Sequence, residues 1–178
     1  MTRSQLDRRA RAVRLLALDV DGVLTDRRII LDDEGVQVKI FDVQDGFGLV
    51  LARQAGLKTA IITAERSSVV RRRARQLKID WVAQFARDKG RAFTRCLAHF
   101  RISAAQACYV GDDLLDLPVL AQVGLSVTVA DGRPDLKRHV DYVTKAPGGR
   151  GAVREVVELI LRAQKRWPAV IGRYLRDG

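Results

Sequence analysis

The chain has 178 residues, 47% hydrophobic and 30% charged, which is enough for one domain with a core that needs no disulfide or structural metal, and too apolar for a disordered chain. No apolar run approaches the roughly 20 residues that span a bilayer, and the basic start MTRSQLDRRARAVR lacks the apolar centre of a secretory signal, so a cytoplasmic protein without membrane contact is expected. The net charge of +11 comes from scattered arginines whose local clusters, Arg8, Arg9, Arg11 and Arg71, Arg72, Arg73, Arg75, carry no interleaved aromatic residues, which argues against nucleic-acid binding and fits attraction of small, multiply charged anions.

Residues 1–14 read as a frayed arm or a short helix. Leu15 to Leu18 is a buried strand running into Asp19 and Asp21, then Gly22 for a tight turn. On a pleat of period two these acids share one side of the chain, and their repulsion is costly unless a cation sits between them. Residues 27–42 read as a projecting hairpin that turns at Asp32, Asp33, Glu34 and Gly35. A helix is expected from Asp45 or Gly46 to Gly56, then a strand at 57–63 ending in Thr63. Ser67 caps the next helix, and a short strand starts at Ile79.

In residues 88–100, Phe93, Cys96, Leu97 and Phe100 recur at helical spacing. Cys96 and Cys108 read as small hydrophobes, on a helix face and in a strand. QACYVGDD is a strand running into acids, DLPVLAQVG a helix closed by Gly124, and LSVTVAD a strand. After a short strand at Val140 to Thr144 and the loop Gly148, Gly149, Arg150, Gly151, a last helix buries Val153, Val156, Val157, Ile160 and Leu161 and is stopped by Pro168, leaving a tail over 168–178.

Strands alternating with helices imply a single doubly wound α/β domain, a parallel sheet with right-handed crossovers. Ligands in such sheets bind at the carboxyl ends of the strands. Asp19, Thr63 and Asp112 are therefore expected to converge, together with Lys89 from the start of a helix.

These residues resemble the haloacid dehalogenase-like phosphatases, whose motifs occur in order: D-x-D-G at Asp19 to Gly22, the strand ending in Thr63, a lone Lys89, and G-D-D-x-x-D at Gly111 to Asp116. Beside the resemblance stands the chemistry. A phosphate monoester needs a nucleophile, a proton donor for the leaving alcohol, and positive charge on the equatorial oxygens. Asp19 is the candidate nucleophile, forming an aspartyl phosphate, and Asp21 the acid that then activates water. Asp112 with Asp19 would hold Mg²⁺, and the family adds the backbone carbonyl of the second aspartate, here Asp21. Thr63 would bond the phosphoryl oxygens and Lys89 would neutralise them. Asp113 and Asp116 are expected to support the metal through its ligands or waters, the alternative being helix N-terminal acids.

Only 43 residues separate Asp19 from Thr63 and 25 separate Thr63 from Lys89, which leaves no room for a cap domain. The capless branch that the chain resembles over Leu15 to Trp167 is the 3-deoxy-D-manno-octulosonate 8-phosphate phosphatases, through VDGVLTD, FDVQDGFG, VGDDLLDLPV, GLSVTVADGRP and GGRGAVREVVELIL. The resemblance implies homotetramers in which the hairpin reaches a neighbouring site, with Asp45 and Gly46 near substrate. The chain departs from the family at Thr63-Ala64-Glu65, where T-G-R is usual. Glu65 and the arginine-rich helix resemble sister phosphatases of nine-carbon keto-deoxy sugar 9-phosphates, although Gln76 stands where those relatives carry a basic residue. Arg73 and Arg150 are candidates for a sugar carboxylate, which guanidinium pairs bidentately. The expectation is thus a Mg²⁺-dependent phosphatase of the eight-carbon acidic sugar phosphate in lipopolysaccharide biosynthesis. The alternatives are the nine-carbon sugar and a noncatalytic oligomerisation or binding module.

Overall fold

The structure, a computed structural model, describes residues 1–176. The chain runs α1 (Arg3–Ala12), β1 (Leu15–Leu18), β2 (Ile30–Leu31), β3 (Gln37–Val38), α2 (Val43–Gln54), β4 (Lys58–Ile62), α3 (Ser68–Leu77) and β5 (Trp81–Ala83). It continues through α4 (Lys89–Phe100), β6 (Ala107–Gly111), α5 (Leu117–Leu120), β7 (Leu125–Thr128), α6 (Pro134–Lys137), β8 (Tyr142–Val143), α7 (Ala152–Ala163) and α8 (Trp167–Arg176). Six strands form one sheet in the order β5-β4-β1-β6-β7-β8, every pair parallel, while β2 and β3 make a separate antiparallel hairpin. The doubly wound architecture expected from the alternation is the one observed.

Period-two alternation splits the core between the sheet's faces. Leu16, Leu18, Ile61, Cys108, Val110, Leu125 and Val127 meet α1, α2, α3, α7 and α8, whereas Leu15, Ala17, Ala60, Ile62 and Tyr109 meet α4 and α5. Helix α7 buries all five of its expected apolar residues completely. Each fully buried side chain of that size contributes about 1.5–3 kcal/mol. On the other face α4 buries Phe93 and Cys96, with Leu97 and Phe100 half-buried beside them.

Several boundaries differ from expectation. Residues 3–12 are a packed helix with a Thr2–Gln5 capping box and a buried Ala10, tied to the sheet edge by the Arg9–Asp141 ion pair at 2.6 Å. Helix α2 starts at Val43 because the Asp42 side chain caps it by accepting from the Asp45 amide. The helix expected over 116–124 is a 3₁₀ turn followed by the four residues of α5. Pro168 does not end the last helix: α7 stops at Ala163, the chain turns at Lys165 with φ 58°, and Pro168 is the second residue of α8. Proline fits a first helical turn, whose amides have no intrahelical acceptor. The expected tail is therefore mostly helix, pinned by buried Val170 and an edge-to-face contact of Tyr174 with Phe47 at 5.6 Å. Its residues 177–178 lie outside the described residues.

Candidate active site

The four residues expected to converge, Asp19, Thr63, Lys89 and Asp112, all arrive at the carboxyl edge of the sheet. Asp19 follows β1, its amide donating to the Val110 carbonyl at 3.0 Å. The next residues form a tight turn in which the Val20 carbonyl accepts from the amides of Val23, Leu24 and Thr25. Gly22 has φ +90°, and a Cβ there would lie 2.0 Å from Asp112 Oδ2, so only glycine lets the β1 loop close against the β6 loop. Buried Thr63 follows β4, and Lys89 is the first residue of α4, which Asp88 caps. Asp112 follows β6.

The charges are concentrated under cover. Lys89 Nζ lies 2.8 Å from Asp19 Oδ2 and 2.7 Å from Asp116 Oδ1. Asp116 is completely buried, and its carboxylate is consumed: Oδ1 accepts from Lys89 and the Tyr109 hydroxyl, and Oδ2 from the amides of Asp112 and Asp113. Carboxylate oxygens of Asp19, Asp112 and Asp116 all lie within 4.8 Å of one another. Burial, reinforced by Asp116, pushes the Asp19 carboxyl up to about 7 against the opposing pull of Lys89. Burial and Asp116 likewise push Asp112 up to about 7, opposed by Arg27. For Lys89, burial alone would lower the pKa, but Asp19 and Asp116 outweigh it and the ammonium is held above its usual value. Acids that pay this much to ionise side by side make a site suited to a hard divalent cation.

The geometry corrects the simple acid-pair reading. Strand β1 ends at Leu18, so Asp19 and Asp21 do not sit on one pleat, and the Asp21 carboxylate is not among the three clustered acids. It turns instead to Lys39, whose Nζ also reaches Glu65 Oε2 at 3.2 Å. Only the backbone carbonyl of Asp21 remains for the role the resemblance gives it at a metal.

A pocket of about 310 Å³ is lined by Asp19, Asp21, Thr63, Glu65, Lys89, Asp112, Asp113 and Asp116. Asp113 spends a carboxylate oxygen on the Leu114 amide at 2.7 Å. Four expected substrate residues line no part of this pocket. Asp45 is buried beneath α7, accepting from the amides of Gly151 and Arg154, and burial raises its pKa. Gly46 makes room for Arg73, whose Nη2 would lie 2.3 Å from a Cβ there. Arg73 donates to the Asp42 carbonyl and Gln76 and covers the Phe41 ring. Arg150 is exposed, 3.9 Å from Asp26. Asp45 nevertheless ties the start of α7, and the glycine loop before it, to α2. That loop packs backbone to backbone on the β1 loop: the Gly149 amide donates to the Val23 carbonyl at 2.9 Å, and a Cβ on Gly148 would lie 1.8 Å from the Gly22 carbonyl oxygen.

Three residues escape the motif reading. Lys39 is delivered by the hairpin, Arg27 Nε lies 3.2 Å from Asp112 Oδ2, and Tyr109 rises from β6 beneath Asp116. For Lys39 a signal existed: Val36, Val38 and Ile40 alternate with Gln37 and Lys39, and the polar set faces the protein while the apolar set is exposed. Arg27 adopts φ 69°, which no periodicity announces.

The chain is similar to known proteins over most of its length. The family of haloacid dehalogenase-like hydrolases matches residues 54–155. The 3-deoxy-D-manno-octulosonate 8-phosphate phosphatase of Escherichia coli K12 is 46% identical over 156 residues, 88% of this chain and 83% of the relative. The crystal structure of the Yersinia pestis phosphatase of that name is 44% identical, covers 92% of this chain and 89% of its own, and superposes with a TM-score of 0.91. That of the Moraxella catarrhalis phosphatase, in complex with magnesium, phosphate and KDO, is 39% identical with a TM-score of 0.95, covering 97% of this chain and 99% of its own. The chain belongs to the haloacid dehalogenase-like hydrolases and, within them, to the 3-deoxy-D-manno-octulosonate 8-phosphate phosphatase family.

Proposed function

We propose that this chain hydrolyses 3-deoxy-D-manno-octulosonate 8-phosphate to the free sugar and inorganic phosphate, with Mg²⁺ as cofactor. The observation that carries the reading is the meeting of Asp19, Asp21, Thr63, Lys89 and Asp112 in one pocket of a chain with this kinship. Asp19 attacks phosphorus and the ester P–O bond breaks, giving an aspartyl phosphate and a sugar alkoxide that takes a proton from Asp21. Asp21 then accepts a proton from the water that attacks the acyl phosphate, which returns Asp19 and releases phosphate. Lys89 and Thr63 hold the phosphoryl oxygens.

Magnesium fits the donors. Asp19 and Asp112 would hold it with the Asp21 carbonyl, whereas Asp116, whose oxygens already accept four bonds, orients Lys89 and the Asp112 loop. Bound there, the ion would supply positive charge to the phosphoryl oxygens. Glu65, braced by Lys39 and Gln37, lines the pocket and is the candidate contact for the sugar.

A glutamate in place of the family's arginine favours a second reading, a nine-carbon keto-deoxy sugar 9-phosphate. We also infer a homotetramer. Ile29, Ile30, Leu31, Val36, Val38 and Ile40 leave the hairpin's apolar side exposed, which supports its packing against other copies. Phosphate release from both sugars with Mg²⁺ tests the activity, with Asp19→Asn as control. The expected result is a higher kcat/KM for the eight-carbon sugar that the substitution abolishes. Activity that survives Asp19→Asn would overturn the mechanism, and preference for the nine-carbon sugar would establish the second reading.

A further inference from the structure

At the amino ends of β1 and β4, across the sheet from the catalytic pocket, lies a second cavity of about 540 Å³. Four cations line it, from four separate stretches of chain: Arg11 from α1, Arg14 from the turn before β1, Lys58 from the start of β4, and Arg166 from the turn before α8. Among the described residues no carboxylate lines it. Two of the guanidiniums are anchored by main-chain carbonyls: Arg11 Nε donates to Ala163 at 3.3 Å, and Arg166 Nη1 to Ala55 at 2.8 Å. Neither guanidinium makes a further hydrogen bond among the described residues, which leaves its other N–H groups for an acceptor. Among the described residues one acid lies within 4 Å of the group: Asp80 faces Lys58 at 3.5 Å and spends its other oxygen on the amide and hydroxyl of Thr59. Phe100 gives the cavity a flat wall, its ring centre 5.9 Å from Lys58 Nζ.

Convergent like charges raise the local potential, and a multiply charged anion relieves it. A single phosphate engages few of four cations spread around such a volume, whereas a chain of phosphates reaches several at once. We propose that this cavity is a binding site for a polyphosphate-type anion, of the class represented by free tripolyphosphate and by the triphosphate of a nucleotide. The site is independent of the phosphatase reading, since Arg14 and Lys58 stand at the start of the strands whose far ends lead to Asp19 and Thr63.

The test is calorimetric titration of the full chain with sodium tripolyphosphate and with ATP, without divalent cations, so that the acid-lined catalytic pocket repels both. Wild type is compared with Arg14→Ala/Arg166→Ala and with Arg71→Ala/Arg72→Ala, which removes the same charge from exposed positions on α3. The expected result is saturable binding that weakens about tenfold or more in the first variant and less than about twofold in the second. Arg14→Ala alone removes a side chain that makes no hydrogen bond among the described residues, so it keeps the fold intact and should weaken binding severalfold. Tighter binding of ATP than of tripolyphosphate would assign the Phe100 wall to the base, and equal binding would assign recognition to the phosphate chain. Equal losses in both double variants, no saturable binding by wild type, or preference for a single-stranded oligonucleotide over tripolyphosphate would overturn the proposal.

Discussion

The ammonium of Lys39 lies between the carboxylates of Asp21 and Glu65, so one residue of the hairpin braces both the proposed proton donor and the residue that departs from the family pattern. The Lys39 side chain is 1% exposed, while Asp21 and Glu65 are 29% and 43% exposed. Lys39→Met should therefore leave the two acids hydrated, costing only about 1–2 kcal/mol of stability. Its effect on turnover should be larger, a fall in kcat/KM of about 10–100-fold, because Asp21 loses the partner that fixes its orientation. Steady-state kinetics in a cycle with Glu65→Gln separates the two contacts. A loss that persists in the Glu65→Gln background assigns the effect to Asp21, and one that disappears there assigns it to Glu65.

Beneath the pocket, the Tyr109 hydroxyl donates to Asp116 Oδ1 at 2.7 Å, and burial with the surrounding acids holds the phenol well above its usual pKa. Tyr109→Phe preserves the ring's packing and removes one bond to a buried carboxylate. Hydrogen bonds to charged groups contribute about 1.5–3 kcal/mol, and chemical denaturation should register a loss in that range. Turnover should fall only severalfold, since Lys89 and two amides still hold Asp116. A loss of turnover as large as that of Asp19→Asn would mean that Tyr109 itself meets the substrate.

The legible part of the site is the part that strand ends supply. Asp19, Thr63 and Asp112 could be brought together on paper because crossovers in a parallel sheet place every carboxyl end along one edge. Lys39 reaches the site on the return path of a hairpin, whose alternation marks the face it takes but not where that face lands, and Arg27 reaches it through a left-handed residue that no spacing announces. Asp45 misleads because an acid in the first turn of a helix near a motif looks available, yet its oxygens accept from amides 106 and 109 residues away. Pro168 misleads for a similar reason: a proline that forbids a helix interior is equally at home in the first turn of a new helix.

Gly148 touches no substrate in the proposed mechanism, but its replacement should be costly. In Gly148→Ala the added Cβ would meet the Gly22 carbonyl oxygen at 1.8 Å, backbone against side chain with no flexible group to yield. Either the glycine loop or the β1 loop must shift, and a displacement of about 1 Å near the chemistry costs about 100-fold in rate. Kinetics and thermal melting together check this: kcat should fall by about that factor while the melting transition stays cooperative, and a variant with normal kcat would show that the loop contact does not position Asp19 and Asp21.

Asp19 and Asp112 connect metal, pH and stability. Both carboxyls rise from 3.8 to about 7, chiefly through burial, so between these values the folded chain holds protons that the unfolded chain has released. Without metal, stability therefore falls as pH rises from about 4 through about 7, and the melting temperature in EDTA should be lower at pH 8 than at pH 5.5 once other titrations are matched by an Asp19→Asn/Asp112→Asn control. Mg²⁺ competes for the same oxygens, so its binding releases protons and its affinity should increase across that window. At about a hundredfold excess over Kd, bound metal adds about 2.7 kcal/mol, and the gain at a fixed Mg²⁺ concentration should grow from pH 5.5 to pH 8 and vanish in the double asparagine variant. A Mg²⁺-induced shift that is independent of pH, or that survives the double substitution, would place the ion away from Asp19 and Asp112.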